Sequence, residues 1–372
     1  MPGMTQEERV VCALSRQEPD RVPLYDLMDN VVVLSHYAGQ QVTLDNATES
    51  IPLALSRALD TTRVWLPAAP GRRVDERGFT LERVDWWNEW QVGKPFHDME
   101  SLAAFVRRDI ERAEADGLGG ARDHLVDRLS ERLTWKQRYR GTVIPASSAG
   151  EALTAAYIDT GLDWFILLQA EQPDLVARWL AALHGVTMHH LQSEGDVRLV
   201  SPVAWVFADM AFKGRLMFSP AYLQRHGVFR RIADVCDLYH SKGLKVIFHS
   251  DGQIGQVVPD LIAAGVDALA PIETSAGMDL AELKKEFGER VSFVGGLDMP
   301  ETLRYGSVDD VRRATLRALA AAGPGGGFVL GSSSEELYEA LPSENIITML
   351  ETTRECGRYP IGEYFPKGFD WQ

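Results

Sequence analysis

Cysteine is scarce in this chain, and its placement excludes two kinds of structure. The 372 residues include three cysteines, Cys12, Cys236 and Cys356, which are widely separated. An odd number of distant cysteines does not form a disulfide framework. None of them lies in a Cys-x-x-Cys or Cys/His cluster, so the sequence does not contain a zinc site built from thiolates.

Long apolar runs are also missing. No stretch is long and apolar enough to cross a bilayer, and the first residues have neither a basic start nor an apolar signal core. We therefore expect no membrane association and, by default, a cytoplasmic location. The composition is that of a globular protein, with 45% hydrophobic residues to fill a large core.

The chain has fewer basic than acidic residues. The chain has 38 Lys and Arg against 53 Asp and Glu, a formal net charge of −15, and its basic residues are scattered. This pattern argues against a nucleic-acid partner. The sequence also lacks a dinucleotide-binding glycine motif, an internal repeat and a low-complexity linker. We accordingly treat residues 1–372 as a single domain.

What the sequence does contain is a series of short apolar segments that each end at a polar residue or a glycine. The eight segments are residues 22–26, 63–67, 141–147, 203–209, 244–249, 266–273, 291–298 and 327–332. Amphipathic helical patterns separate the later ones, and they end at Gly265, Gly288 and Gly323. Strand–helix alternation of this kind predicts an α/β fold, and eight units favour a closed (β/α)8 barrel.

In such a barrel the chemistry lies where the strands end. The polar residues at or beyond the predicted strand ends are Asp26, Ser147, Asp209, His249, Asp251, Glu273, Asp298, Ser332, Ser333 and Ser334. The most informative of them are His249 and Asp251, which follow a β-branched run. An imidazole and a carboxylate two residues apart can bind a metal, move a proton or hold a polar substrate.

An insertion is predicted around residues 72–98, where Gly78 marks the turn of a β-hairpin. Trp86, Trp87 and Trp90 follow it. Their indoles either line a substrate pocket or pack on the barrel.

Several of these segments, taken in order, resemble the uroporphyrinogen decarboxylase superfamily, which also contains zinc-dependent methyltransferases that act with corrinoid proteins. The resemblance rests on residues 7–14, 19–23, 209–220, 248–253, 265–271, 295–298 and 342–345. It extends over nearly the whole chain and implies the same (β/α)8 barrel.

The chain departs from both branches of this superfamily. The decarboxylase branch has an arginine-rich signature where this chain has Asp26 and Asp29, so a porphyrinogen with many carboxylates would be repelled. The methyltransferase branch places zinc on a His-x-Cys pair and a distant Cys. Here Asp251 replaces the first thiolate, and the region of the second contains Glu335 and no cysteine. Carboxylates can substitute for sulfur as ligands of a divalent ion.

The leading hypothesis is a methyltransferase or demethylase that moves a methyl group from a small methylated metabolite to a corrinoid, assisted by a divalent metal, with zinc expected. The corrinoid would be carried on a separate protein, because no cobalamin-binding Asp-x-His-x-x-Gly motif occurs. A homodimer is compatible with the sequence, since large barrels often pair. The predicted residues are Asp209, His249 and Asp26 for catalysis; Ser147, Trp86, Trp87, Asp298 and Ser332 for substrate binding; and His249, Asp251, Glu273 and Glu335 for the metal.

Two alternatives remain open. A metal-free lyase like uroporphyrinogen decarboxylase would use Asp26, Asp209 and His249 to hold a carboxylated substrate and move a proton to carbon. A non-catalytic binding or scaffold barrel would keep the pocket and use the tryptophans as a partner surface.

Overall fold

The computed structural model describes residues 3–116, 121–334 and 336–369. The predicted metal ligand Glu335 therefore lies outside the described residues. The helices are α1 (Gln6–Leu14), α2 (Val31–Ala38), α3 (Ala47–Ala58), α4 (Met99–Asp116), α5 (Ala121–Arg138), α6 (Ala152–Thr160), α7 (Leu162–Glu171), α8 (Pro173–Ser193), α9 (Pro220–Arg225), α10 (Val228–Ser241), α11 (Val258–Ala263), α12 (Leu280–Phe287), α13 (Val308–Ala322) and α14 (Ser343–Cys356).

The strands fall into one large parallel sheet and three small sheets. They are β1 (Leu27–Met28), β2 (Gly71–Val74), β3 (Thr80–Arg83), β4 (Glu89–Gly93), β5 (Ser147–Gly150), β6 (Val203–Phe207), β7 (Ala211–Phe212), β8 (Arg215–Leu216), β9 (Lys245–His249), β10 (Ala268–Ile272), β11 (Ser292–Leu297), β12 (Phe328–Ser332) and β13 (Glu336–Leu337). The large sheet has the order β12-β11-β10-β9-β6-β5, and its neighbours pair in parallel.

Isolated parallel bridges join the two edges of this sheet. Leu24 pairs with Leu330 of β12, Tyr25 pairs with Thr61, and Thr61 pairs with Val143, which lies just before β5. The sheet and these bridges together form a continuous ring of eight extended segments. The architecture is the predicted (β/α)8 barrel, and the prediction is confirmed.

One of the eight predicted strands was misplaced. Residues 63–67 were predicted as the second strand, but the bridging residue is Thr61, and residues 63–70 form no regular strand. The apolar pattern of Val64 and Trp65 had suggested a strand where the chain has already left the barrel. As a result Arg63 lies beyond the end of the second strand rather than at its beginning.

The barrel interior is a packed core rather than a pore. Its buried apolar cluster is made by Tyr25, Val143, Val203, Trp205, Ile247, Ala268, Ala270, Val294 and Val329, together with Val10, Ala13 and Leu14 of α1. Helix α1 therefore covers the end of the barrel where the strands begin, which we call the lower end. The opposite end, where the strands finish, is called the mouth.

Buried ion pairs reinforce the lower end. Asp60, which is fully buried, accepts hydrogen bonds from Arg9 at 2.7 Å and Arg21 at 2.7 Å and from the backbone N–H of Leu24 at 2.9 Å. Asp267 contacts Lys245 and His240, each at 2.8 Å. Each of these carboxylates has a cationic or imidazole partner, which offsets the cost of its burial.

Helix boundaries follow local signals in the sequence. Ser307 begins α13 with a capping box. The Ser307 hydroxyl accepts the backbone N–H of Asp310, and the Asp310 carboxylate accepts the backbone N–H of Ser307. Asp279 similarly accepts the N–H of Glu282 at the start of α12. Among the described residues, none of the helices has both the length and the apolar composition that crossing a lipid bilayer requires.

The insertion after the second barrel segment forms three antiparallel strands, β2-β3-β4, where a two-stranded hairpin was predicted. The turn between β2 and β3 contains Gly78, with φ of +92°, and Asp75 accepts the N–H of Phe79 at 2.8 Å. Phe79 packs edge-on against Phe96 and Phe105. This aromatic contact attaches the small sheet to α4.

Candidate active site

Three side chains of types that can bind a metal meet at the mouth, at the ends of two neighbouring barrel strands. His249 is the last residue of β9, Asp251 follows it, and Asp209 lies two residues beyond β6. One ligand atom of each lies within 4.8 Å of the other two. The His249 Nε2 atom is 3.4 Å from Asp209 Oδ1, and this oxygen also accepts the backbone N–H of Asp251 at 3.2 Å.

Backbone contacts hold the two loops that carry these residues together. The hydroxyl of Ser250 accepts the N–H of Met210 at 3.0 Å and donates to the carbonyl of Asp251 at 3.1 Å. Gly252 has φ of +82°, and a Cβ atom there would lie 2.7 Å from the carbonyl oxygen of Phe212. Only glycine therefore allows this close approach.

Glu273, predicted as a metal ligand, has a different contact in the structure. Its Oε2 atom accepts the N–H of Gly252 at 2.7 Å, and Ser275 donates to its other oxygen at 3.3 Å. Asp209 takes its place as the third member of the ligand cluster. Glu273 thus orients the loop that carries Asp251.

Asp209 is held in the carboxylate form. Burial acts to raise its pKa, but the hydrogen bond and charge of His249, the N–H of Asp251 and the charge of Arg63 outweigh burial, so the pKa lies below its ordinary value. The backbone carbonyl of Asp209 accepts the hydroxyl of Tyr157 at 2.5 Å. The side chain of Asp209 is 35% exposed and that of His249 is 12% exposed, so both remain accessible from the mouth.

An aromatic surface lies beside this cluster. The rings of Trp205 and Phe207 stack at 5.7 Å with an interplanar angle of 15°, and the Phe207 ring is 5.3 Å from that of His249. The guanidinium carbon of Arg63 lies 5.4 Å from the Phe207 ring centre and 5.7 Å from that of Trp205. These are cation–π distances.

A cavity of about 480 Å³ opens over this surface. Its lining residues are Arg63, Val64, Trp65, Glu131, Arg132, Trp135, Ile144, Pro145, Ser147, Ser148 and Phe207. The volume is within the range of small-molecule sites, roughly 300–1,000 Å³. Phe207 lines the cavity and its ring is 5.3 Å from that of His249, so the cavity comes close to the ligand cluster at Phe207. We call this cavity the Arg63 pocket.

The donor set fits a divalent cation. Ligands bonded to one zinc ion at about 2.0–2.2 Å lie no more than about 4.4 Å apart, so small side-chain rotations would bring the three atoms into range. One imidazole nitrogen and two carboxylate oxygens are common ligands of a catalytic site that keeps a further position open. Two carboxylates so close together also favour a cation between them.

Several predicted residues lie elsewhere. Asp26 is fully buried, and Ser332 donates to it through its hydroxyl at 2.7 Å and its N–H at 2.9 Å. This pair joins the first and last barrel strands. Ser147 is buried and lines the Arg63 pocket, while its hydroxyl contacts Glu194 at 2.9 Å and Tyr239 at 3.0 Å.

The other residues predicted to bind substrate lie outside the Arg63 pocket. Asp298 accepts the N–H groups of Glu301 and Thr302 and lines a separate groove of about 630 Å³. Trp87 is 4% exposed and packs in the core, and Trp86 is half-buried against it. Neither tryptophan lines the Arg63 pocket. Asp298 therefore does not share a cavity with Ser147, which lines the Arg63 pocket.

Arg63, Phe207 and Ser148 were missed by sequence reasoning. Arg63 was assigned to the start of a predicted strand, and the structure places it at the mouth. Ser148 was overlooked in favour of Ser147, although only Ser148 is exposed. Side chains alternate along a strand, so an error of one residue exchanges the two faces.

A second pair of carboxyl groups lies above the first and last barrel strands. Asp29 follows β1, Glu336 begins β13, and the two strands pair in parallel. Asp29 is 2% exposed. Burial, the charge of Glu336 and a hydrogen bond with Glu336 raise the pKa of Asp29 to about 8. Asp29 is therefore mainly protonated at neutral pH.

Comparison with known proteins supports the resemblance seen in the sequence. Residues 219–356 match the uroporphyrinogen decarboxylase (URO-D) family model. The match includes His249 and Asp251 and begins after Asp209. No curated protein matches the sequence.

A solved methyltransferase structure from Methanosarcina mazei aligns with a TM-score of 0.64 at 17% identity, covering 95% of this chain and 99% of that one. At this identity the likeness establishes the fold. The family model and the fold together confirm the predicted resemblance of this chain to the uroporphyrinogen decarboxylase and corrinoid-dependent methyltransferase superfamily.

Proposed function

We propose that this protein is a methyltransferase-like enzyme that takes a methyl group from a small methylated metabolite and passes it to a corrinoid on a separate protein. The observation that carries the proposal is the cluster of Asp209, His249 and Asp251 at the barrel mouth, next to a pocket of small-molecule size. The resemblance to the superfamily supports the reaction class. In this chain carboxylates stand where the zinc-dependent methyltransferases of the superfamily have cysteine ligands.

Asp209, His249 and Asp251 would hold a divalent metal, with zinc as the expected ion. When bound, it supplies Lewis-acid polarisation of an ether oxygen or amine nitrogen on the substrate. Carboxylates neutralise a cation less completely than thiolates do, which favours this role over activation of a thiol. The methyl group would leave without the bonding electrons, which stay on the substrate heteroatom, and the corrinoid would supply the electron pair for the new bond.

The residues around the cluster have positioning roles in this proposal. Glu273 and Ser250 fix the loop that carries Asp251, and Phe207 supplies a flat surface for the substrate. The alternative of a metal-free lyase receives less support. It needs Asp26 at the substrate, and the described contacts of Asp26 include both the N–H and the hydroxyl of Ser332, in a fully buried position.

The test is metal analysis of purified protein. We expect one equivalent of zinc per chain after growth with zinc, and rebinding of one equivalent after chelation and dialysis. His249→Ala should abolish binding, because it removes the central ligand. The matched control is His97→Ala, since the His97 side chain is 86% exposed and lies outside the cluster.

Absence of stoichiometric metal in the zinc-replete protein would overturn the metal-assisted reaction. Consumption of uroporphyrinogen by the metal-free protein would favour the lyase instead. For the metal-loaded protein, methyl transfer from methoxylated or N-methylated compounds to reduced cobalamin can be followed by absorbance.

A further inference from the structure

We infer that a pocket at the lower end of the barrel binds a phosphorylated small molecule, with the phosphate held by Arg16, Lys284 and Lys285. The pocket has a volume of about 590 Å³. Its walls come from the loop after α1, the last turn of α12 with the loop that follows it, and the loop after α13. We call it the Arg16 pocket. The candidate active site lies at the opposite end of the barrel, so this inference goes beyond the proposed function and does not rest on it.

The charge of the lining favours an anion. The chain as a whole has a net charge of −15, but three of the four charged side chains that line the Arg16 pocket are cationic. The three cations are Arg16, Lys284 and Lys285, and the carboxylate is Glu289. In the described part of the chain, the side chains of Arg16 and Lys285 form no hydrogen bond and no ion pair. Both can therefore bind a ligand without giving up a partner among those residues.

Two of the cations approach the same point. The Cγ atom of Arg16 and the Nζ atom of Lys284 each lie 3.4 Å from the position that a Cβ atom on Gly327 would occupy. The Lys284 ammonium donates to the carbonyl of Gly326. Burial lowers the pKa of Lys284, and the charge of Glu18 offsets part of this effect. Cations that approach one point repel each other, and an anion bound between them would replace the repulsion with attraction.

Close backbone contacts fix the walls of the pocket. Gly326 has φ of +74°, and a Cβ atom there would lie 2.2 Å from the carbonyl oxygen of Gln17. Only glycine therefore allows the loop after α13 to touch the loop after α1. Glu18 strengthens the same contact, because its carboxylate accepts the N–H of Gly325 at 2.9 Å. A ligand would bind to walls that are already in place, which lowers the entropy cost of binding.

A phosphate group fits this arrangement better than a carboxylate does. Its charge at neutral pH is about −1.5 to −2, and its oxygens point in several directions, so cations on different walls can each reach one. A carboxylate offers two oxygens in one plane. The pocket is also larger than a phosphate ion, and Ser15 and Gln17 add a hydroxyl and an amide for the rest of the ligand. We therefore expect the phosphate ester of a small polar molecule.

The experiment measures anion binding to the full-length protein by calorimetry at constant ionic strength, with inorganic phosphate and glycerol 3-phosphate as probes. Chloride and acetate are the comparison anions, and glycerol is the neutral comparison. We expect glycerol 3-phosphate to bind more tightly than inorganic phosphate, and both to bind more tightly than acetate, chloride or glycerol. His249→Ala should bind both phosphates with the wild-type affinity, because the candidate metal ligands lie at the mouth.

Arg16→Met should weaken phosphate binding about 10- to 100-fold, the usual effect of losing a charge-assisted hydrogen bond. The matched control is Arg140→Met, because Arg140 also follows a helix with positive φ, +51° against +58° for Arg16, but does not line the pocket. Lys285 is exposed, so Lys285→Met should leave the fold intact and weaken binding about 2- to 5-fold. Glu289→Gln removes a carboxylate of the lining and should strengthen binding.

Equal affinity for phosphate and acetate, or an unchanged phosphate affinity in both Arg16→Met and Lys285→Met, would overturn the inference. An equal loss of binding in Arg140→Met and Arg16→Met would also overturn it, because the effect would then come from the net charge of the protein. Glycerol 3-phosphate binding no tighter than that of inorganic phosphate would contradict the expected phosphate ester. Zinc binding without phosphate binding would refute the inference and leave the proposed function intact, and phosphate binding by a protein that does not bind zinc would do the reverse.

Discussion

At the lower end of the barrel the buried carboxylates face cations, whereas at the mouth carboxylates face one another. Asp60 lies between Arg9 and Arg21, and its charge is balanced within the folded chain. Asp209 lies beside Asp251 instead, and Asp29 lies beside Glu336. The same residue type thus stabilises the fold at one end. At the other end carboxyl groups are brought together at the candidate site, where His249 and Arg63 offset part of the charge of Asp209.

The first way to test this difference is to remove one charge at the lower end. Asp60→Asn should lower the free energy of unfolding by about 3–5 kcal/mol, because it leaves two arginines next to a neutral group in a buried position. Urea denaturation measures the change. Asp237→Asn, at an exposed helical position, is the control and should change stability by less than about 0.5 kcal/mol. If Asp60→Asn loses no more stability than Asp237→Asn, the ion pairs of Asp60 with Arg9 and Arg21 do not stabilise the fold.

A change in stability of intermediate size is expected when Asp29 or Glu336 is replaced, and the size of this change should depend on pH. The folded pKa of Asp29 is raised from 3.8 to about 8. The folded state therefore holds the proton of Asp29 more strongly than the unfolded state does. The resulting stabilisation is complete below about pH 4 and is lost as the pH rises through about 8.

Asp29→Asn should consequently melt at a higher temperature than the wild-type protein at pH 9, with a smaller difference, or a reversed one, at pH 5. Thermal unfolding at the two pH values gives the comparison. Glu336→Gln should change the melting temperature in the same direction, because it removes a charge that raises the pKa of Asp29. A difference between variant and wild type that is the same at both pH values would show that Asp29 is not protonated in the folded state.

The smallest effect on stability should come from the metal cluster. Asp251 is exposed and lies beside another carboxylate, so Asp251→Asn should change the unfolding free energy of the metal-free protein by less than about 0.5 kcal/mol, or increase it. Denaturation of the chelated protein measures this, and metal analysis of the same sample should show weakened zinc binding. A large loss of stability without metal would mean that Asp251 serves the fold.

Much of the barrel was predictable because strands and helix ends depend on local sequence. The run that ends at His249 and the helix ends at Gly288 and Gly323 all lie where the sequence indicated. The second barrel strand was not predictable in the same way. Thr61 makes only isolated bridges, and a more apolar segment follows it.

The candidate site was predictable only in part. Sequence reasoning predicted His249 and Asp251 as metal ligands and Asp209 as a catalytic residue of the same mouth, and the structure brings the three side chains together. It did not show that Asp209 approaches His249 more closely than Glu273 does, because that depends on how the loop at Gly252 folds back on residues 211–212. The roles of Ser147 and Ser332 depended on which face of a strand each side chain occupies.

The close approach at Gly252 has a consequence for the way the site works. Because the loops after β6 and β9 touch through their backbones, the three candidate ligands Asp209, His249 and Asp251 belong to one block of the folded chain. The conformational entropy of bringing them together is lost during folding, before any ion arrives. An ion would meet ligands that are already gathered, and its binding energy would not be spent on assembling them.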